Sequence, residues 1–309
     1  MSFTFKELGG TARQIRRLVD KDVKTWSAFN PSIGISDSGD LAIAIRSSNY
    51  VILEHGELSV STGGPIRNQV WFSELNDKFE FQNLRKLDFS AAGIEVVRGV
   101  EDPKLLWRDE RWIFTGVFLE RDVPVARNCV CYPDRKMTKV EKIDVIPGID
   151  AGRPEKNWMT AYVKPENFDY IYDANAVVIG SKVIHSLRDS KYLNALRGNA
   201  HLIPYDNGTY LGLMHQLKIK KFDKVSQTTF GVMHYVHKFY THVFIRFDEY
   251  GSPIEITDHF KFDGDGIEFA SGLISLGDDY VISYGRDDIT SHIAEIAQKK
   301  VRRLLKKIS

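Results

Sequence analysis

The sequence predicts an all-β fold, a five-bladed β-propeller, with an N-terminal helical segment and a C-terminal amphipathic helix. Three observations lead there. Short strand-like runs broken by turn residues fill the chain from about Trp26 onward. One hairpin unit recurs along that length. Helical spacing of apolar residues is confined to the two ends.

The recurring unit is an apolar strand, a tight polar turn and an alternating strand that often carries an aromatic. It reads Ile33-Gly34-Ile35, then Ser36-Asp37-Ser38-Gly39, then Asp40 to Ile45. It returns at Leu105 to Gly116, at His201 to His215 and at Leu273 to Gly285, with a weaker copy at Ala176 to Ser186 that lacks the aromatic. Ser-Gly, Asn-Gly and Gly-Asp between strand-like runs are hairpin signals. One hairpin plus outer strands amounts to about 50 to 70 residues per blade, and radial repetition of such units hides sheet edges. Four to six blades fit residues 26–289, and five is the expected number. The competing architecture is a pair of packed β-sandwiches, which the repeat argues against.

Residues 1–25 read as a helical arm, with Ile15, Leu18 and Val19 on one face among Arg13, Arg16, Arg17 and Lys21. Residues 290–309 read as an amphipathic helix packed on the propeller. Ile289, Ile293, Ile296, Ala297, Val301, Leu304, Leu305 and Ile308 recur at spacings of three and four, and six Lys and Arg residues fill the other face. A basic amphipathic helix can also meet a membrane surface or a partner.

The 309 residues are 43% hydrophobic and 27% charged, with 42 basic against 41 acidic side chains. A chain of this length builds its core without disulfides or metal. The charge balance gives no reason to expect a nucleic-acid or membrane partner. No apolar run approaches the ~20 residues of a membrane span. Cys129 and Cys131 suit neither a structural disulfide nor a zinc site at this spacing, so reduced buried thiols and a cytoplasmic setting are expected. The cluster His234, His237 and His242 has no acidic or thiol partner at ligand spacing, so no metal is implied.

The chemistry centres on Gly99-Val100-Glu101-Asp102-Pro103-Lys104. Pro103 biases Asp102 toward an extended backbone, so Glu101 and Asp102 are expected to face different environments and take different roles. The plainer reading is a strand entry with a solvated acidic pair. In a propeller, polar groups at matching ends of the hairpins converge on one mouth. Those groups are Asn30 and Arg46; Glu101, Asp102 and Lys104; Glu155, Lys156, Asn157 and Trp158; Arg197, Asn199, His201 and His215; and Tyr284, Arg286, Asp287 and Asp288. Acids, cations, amides and aromatics together suit a polar, hydroxyl-rich ligand, with or without a phosphate. His215, His201 and Trp158 read equally as core residues, and Asp287-Asp288 as a turn.

In order along the chain, Asn30-Pro31, Arg46, Gly99 to Pro103, Glu155-Lys156-Asn157-Trp158, Gly198 before His201 to Pro204, His215, Glu268 to Leu273 and Tyr284-Gly285 ahead of Asp288 resemble the five-bladed propellers of glycoside hydrolase family 130. That family comprises β-mannoside phosphorylases and hydrolases with related β-mannosyltransferases. The resemblance covers about residues 26 to 296. It implies a carbohydrate-active enzyme that inverts β-mannoside-like glycosides by phosphorolysis or glycosyl transfer. Asp102 would be the single general acid, acting through a substrate hydroxyl while phosphate attacks from the opposite face. The resemblance further implies sugar contacts at Asn30, Arg46, Tyr284 and Asp288, and a nucleophile or phosphate side at Lys156, Asn157 and His215. Glu101 falls beside the acid as a supporting or sugar-contact residue, and Arg153 and Arg197 are candidates for phosphate. No cofactor is implied beyond inorganic phosphate as a co-substrate. The partner is a carbohydrate donor or acceptor, and a homo-oligomer is allowed. One departure is Lys104, where the family's motif continues with Arg; Lys keeps the charge and loses the bidentate fork. The alternatives are a catalytically silent glycan-binding propeller and a protein-interaction propeller.

Overall fold

The computed structural model describes residues 2–15, 26–52, 58–60, 64–92, 98–120, 123–146, 156–161, 165–180, 182–185, 193–228 and 231–308, with backbone alone for 58, 119–120, 123–125, 194, 220–228 and 231–237. Among these residues the chain is all-β, with one short α-helix. Two four-stranded antiparallel sheets come first. One is built from Ser27–Ile35, Leu41–Ser48, Asn68–Leu75 and Arg85–Lys86; the other from Glu101–Arg108, Arg111–Glu120, Val123–Pro133 and Val140–Val145. A smaller sheet of Tyr170–Asp173, Ala176–Ile179 and Lys182–His185 is extended inward by a bridge between Met159 and Ile171. A larger sheet is centred on the long strands Tyr210–Thr228 and Gly231–Phe247. The last sheet runs Glu268–Leu276, Asp279–Arg286, Thr290–Ala297 and then Thr11–Gln14 from the other end of the chain.

The hairpins read at Ile33 to Ile45, Leu105 to Gly116 and Leu273 to Gly285 are the first two strands of their sheets, whereas the one at Ala176 supplies the second and third strands of its sheet and the one at His201 pairs Ile203–Pro204 with Tyr210–Thr228. Their apolar faces make the cores between neighbouring sheets. Ile33, Ile43 and Ile45 meet Ile274, Val281 and Ile293. Ala42, Ala44 and Phe72 meet Leu105 and Phe114. Met159 and Ile171 meet Met214 and Val243. Leu213 and Phe244 meet Leu273 and Ile282. Burying these side chains at roughly 25 cal/mol per Å2 of apolar surface is the main force holding sheet on sheet.

The first strands are also stitched directly. Ser32 Oγ donates to the Ser271 carbonyl at 2.9 Å and accepts from Leu105 N at 2.8 Å. Lys104 Nζ donates to the Trp158 carbonyl at 2.8 Å. His201 Nε2 bonds the Lys104 carbonyl at 2.7 Å, and Ala161 bridges Leu202.

Both end segments depart from expectation. Phe3–Thr4 and Thr11–Gln14 are strands, so the described part of residues 1–25 is not helical; residues 16–25 lie outside the description. Thr11–Gln14 pairs with His292 to Glu295 and completes the last sheet. Thr290–Ala297, expected to begin the terminal helix, is a strand, and the helix is only Gln298–Leu304. Residues 291–294 are buried in succession, so the apolar residues there follow neither a clean two-residue nor a clean helical period. Helix residue Val301 is buried in the core, and Arg302 pairs with Asp206.

Candidate active site

Asn30-Pro31 and Asp102-Pro103 occupy equivalent places in two sheets. Each sits near the start of a first strand, where the register with the second strand slips: between Phe29 and Ser32 in one, and opposite Thr115 to Val117 in the other. Proline offers no N–H to the ladder and is at home at a bulge. Asn30 and Asp102 both adopt left-handed backbone, with φ of 49° and 48°. The extended conformation expected for Asp102 is therefore corrected. Asn and Asp tolerate this region better than bulkier residues. Gly99, at φ 80°, brings the chain against the Asn68 carbonyl, where a Cβ would overlap it.

The two bulges aim their side chains at each other. Asn30 Nδ2 donates to Asp102 Oδ1 at 2.8 Å. Arg46 Nη1 donates to the same oxygen at 2.9 Å. Among the described residues, Asp102 Oδ2 takes no hydrogen bond. Arg46 is buried over the rings of Phe29 and Tyr50, and its Nε donates to Asn68 Oδ1 at 2.9 Å. Its Nη2 reaches Tyr50 Oη at 3.3 Å, and Tyr50 donates in turn to Asp288 Oδ2 at 2.7 Å. Glu101 lies 3.7 Å from Arg46 and 2.9 Å from Lys156 Nζ. Both acids of the pair thus share one cation, although only Glu101 also holds Lys156.

The carboxyls are tuned apart. Burial works to raise Asp102, but Arg46, Lys156 and the Asn30 bond outweigh it and hold the group below its ordinary value. Burial raises Asp288, against the pull of Arg46 and the Tyr50 bond. Divergent tuning of neighbouring carboxyls is how acid and base roles are divided.

His215 is buried and stacked on Tyr240, with ring centroids 4.6 Å apart. Burial keeps it well below its ordinary value, so the ring is neutral. With Nδ1–H donated to Asn199 Oδ1 at 2.5 Å, Nε2 is left as an acceptor. Lys104 is buried as well, and burial pulls its amine down to about 7.

Asn30, Arg46, Glu101, Asp102, Lys156 and Asp288 are thus joined by direct contacts or through Tyr50, with His215 and Lys104 packed nearby. Asn157 adopts left-handed backbone at φ 65°, and its carbonyl lies against Gly198. Arg197 stands opposite His215 in the ladder and donates from Nη1 to the Leu196 carbonyl at 2.9 Å. Tyr284 is not part of the cluster. It is fully buried, stacked between Phe262 and His292, with its hydroxyl donated to Asp263 at 2.6 Å. Trp158 is core, against Tyr170 and Tyr172. Arg153, Glu155 and the side chains of His234 and His237 lie outside the described residues, and among those described no group of three metal-ligating side chains converges.

Sequence reasoning missed Tyr50, Asn68 and Tyr240. Tyr50 and Asn68, which begin the strands Tyr50–Ile52 and Asn68–Leu75, complete the Arg46 network, and neither belongs to a recurring hairpin. Tyr240 is brought beside His215 by the pairing of the two long strands, in which it stands opposite Leu217, and the sequence carries no signal for that register.

No family model matches the sequence, and no curated protein is similar to it at the sequence level. Solved structures do match its fold. A β-1,2-mannobiose phosphorylase from Listeria innocua is 12% identical, with a TM-score of 0.56 over 91% of this chain and 93% of its own. A structure from the GH130 family of mannoside phosphorylases, described with glycoside hydrolases that target β-1,2-mannosidic linkages in Candida mannan, is 13% identical, with a TM-score of 0.55 over 88% and 85%. A GDP-Man-dependent mannosyltransferase from Leishmania mexicana is 12% identical, with a TM-score of 0.51 over 93% and 89%. At these identities the likeness is one of architecture: the chain has the fold of the glycoside hydrolase family 130 mannoside phosphorylases and their mannosyl-transferring relatives.

Proposed function

We propose that this chain is an inverting, carbohydrate-active enzyme that moves a mannosyl-like group between a sugar hydroxyl and a phosphate-bearing leaving group. Its sheets form a five-bladed propeller around the Asp102 cluster. The cyclic order of sheet-on-sheet cores and the stitches between first strands support that reading.

The observation that carries the function is the state of Asp102. One carboxylate oxygen is clamped by Asn30 and Arg46, the other is unbonded among the described residues, and the group is held ionised. An ionised, aimed carboxylate is a general base. In the transfer direction it takes the proton of the acceptor hydroxyl as that oxygen attacks the anomeric carbon, and the phosphate-bearing group leaves from the opposite face with the bonding electrons. In the reverse direction phosphate attacks and the carboxyl returns the proton to the departing sugar oxygen, so the single acid and the single base are the same residue. Asn30, Arg46, Glu101 and Asp288 are assigned to the sugar. Lys156, Asn157, Arg197 and His215 are assigned to the phosphate side. Inorganic phosphate is the co-substrate of the reverse reaction. Lys104, bonded to a backbone carbonyl, holds the Lys156 segment beside Glu101. The free thiols of Cys129 and Cys131 support a reducing, cytoplasmic setting.

The test is a donor screen with GDP-mannose and mannose 1-phosphate against mannose and mannoside acceptors, with phosphorolysis of β-mannosides run alongside. Release of GDP or phosphate, or formation of sugar phosphate with inverted configuration, is expected. Absence of turnover with every donor, together with measurable sugar binding, would instead make this a glycan-binding propeller.

A further inference from the structure

The strands Tyr210–Thr228 and Gly231–Phe247 continue as a two-stranded ribbon far beyond the sheet they belong to. Ten residue pairs follow the His215–His242 pair, from Gln216–Thr241 to Thr228–Gly231. At ~3.4 Å per residue the ribbon reaches about 35 Å. It leaves from the edge of the candidate site. His215 and Tyr240 stack at its base, and Tyr240 N donates to the Gly266 carbonyl at 3.0 Å, beside the Ile267–Asp287 bond that leads to Asp288.

Two properties set the ribbon apart from the rest of the chain. Leu217 and Ile219, on the same side of the strand as His215, are 45% and 56% exposed. Their cross-strand neighbours are Tyr240 and the exposed Lys238. The second property is charge. Residues 216–241 contain Lys218, Lys220, Lys221, Lys224 and Lys238 against Asp223 alone, four net positive charges, whereas the whole chain carries +1. Everything outside the ribbon is therefore net acidic, with a formal charge of −3. A lone two-stranded ribbon is also marginal in water without something to pack on.

We propose that the ribbon docks on an anionic lipid surface, with Leu217 and Ile219 entering the headgroup boundary and the net positive charge of the segment drawing it to lipid phosphates. Exposed aliphatic side chains on a ribbon of net positive charge, with Lys238 across from Ile219, favour an anionic bilayer over a carbohydrate, which would call for hydrogen-bonding groups and flat aromatic faces. A second copy of this chain is disfavoured, because pairing ribbon with ribbon would set lysine against lysine. The short C-terminal helix is the wrong place for such a contact, since Val301 buries its apolar face in the core. Docking would hold the mouth of the Asp102 cluster at a membrane surface, where lipid-linked acceptors reside. The docking itself does not depend on the proposed activity.

The experiment is co-sedimentation of the full-length protein with phosphatidylcholine vesicles and with vesicles of phosphatidylcholine and phosphatidylglycerol at three to one. Binding to the anionic vesicles, at least tenfold weaker to the neutral ones and lost at 0.5 M salt, is expected. Leu217→Ser/Ile219→Ser and Lys218→Glu/Lys238→Glu should each weaken binding at least tenfold while leaving the thermal midpoint in place. The proposal is overturned if the wild-type protein stays in the supernatant with anionic vesicles, or if both double variants bind as the wild type does. It is equally overturned if the protein is an oligomer without vesicles that Leu217→Ser/Ile219→Ser dissociates, which would assign the strip to a second copy.

Discussion

Asn30 and Asp102, 72 residues apart in sequence, are bulge residues of the same kind in two different sheets, and their side chains meet at 2.8 Å. The contact orients the proposed base and helps keep it ionised. Asn30→Ala removes one donor, so the Asp102 carboxyl should rise toward its ordinary value of about 3.9. The acid limb of the kcat/KM profile should move to higher pH. The stability this depressed carboxyl contributes is present above its unfolded value and is lost as pH falls through its folded one. The variant should therefore lose less stability on acidification than the wild type. Chemical unfolding between pH 6 and 3 reads the second effect independently of activity.

The last sheet passes against Asn30 at Gly285. A Cβ there would overlap Asn30 Oδ1 and its backbone nitrogen. Gly285→Ala should destabilise by about 1–3 kcal/mol through overpacking and should reduce activity by shifting Asn30. Urea unfolding gives the first quantity, and turnover of the folded variant gives the second.

Lys104 makes a pH prediction of the same sign in a more alkaline window. Burial pulls its amine down to about 7, with Asp102 opposing, whereas the unfolded chain keeps its proton up to about 10.4. Between those values the unfolded state binds the extra proton, so this group makes stability rise with pH. Lys104→Met should flatten that rise, which for a single proton has a ceiling of about 1.4 kcal/mol per pH unit. Parallel unfolding curves for wild type and variant from pH 7 to 9 would contradict the buried-amine account.

Tyr284 separates core from site. Tyr284→Phe removes a bond to Asp263 inside a stack of rings. A cost of about 1 kcal/mol in stability with an unchanged KM is expected. A raised KM at unchanged stability would return Tyr284 to the substrate.

The hairpins were legible because turn residues separate apolar runs at Ile33 to Ile45, Leu105 to Gly116 and Leu273 to Gly285, and the observed strands follow them. The contacts around Asp102 were legible as a set of residue types at strand ends. Their geometry was not, because the bulges at Asn30 and Asp102 depend on pairing with a second strand, and proline alone points toward extended backbone. The last strand was misread for a different reason. Ile293, Ile296 and Ala297 fit a helical spacing by chance in a strand buried on both faces, and Thr11–Gln14, exposed throughout, carries no pattern to announce that it will complete the same sheet. The length of the ribbon was hidden because its lysines interrupt the apolar alternation that marks a strand.

The central claim is that Asp102 carries the proton. Asp102→Asn keeps the shape and the acceptor oxygen and removes the ionisable group. Initial rates of wild type and variant, measured with a productive donor and acceptor beside calorimetric sugar binding, test this directly. The account predicts a fall in kcat of about 10^2 to 10^4 with sugar binding within threefold of wild type. Turnover at the wild-type rate in a correctly folded Asp102→Asn protein would contradict it.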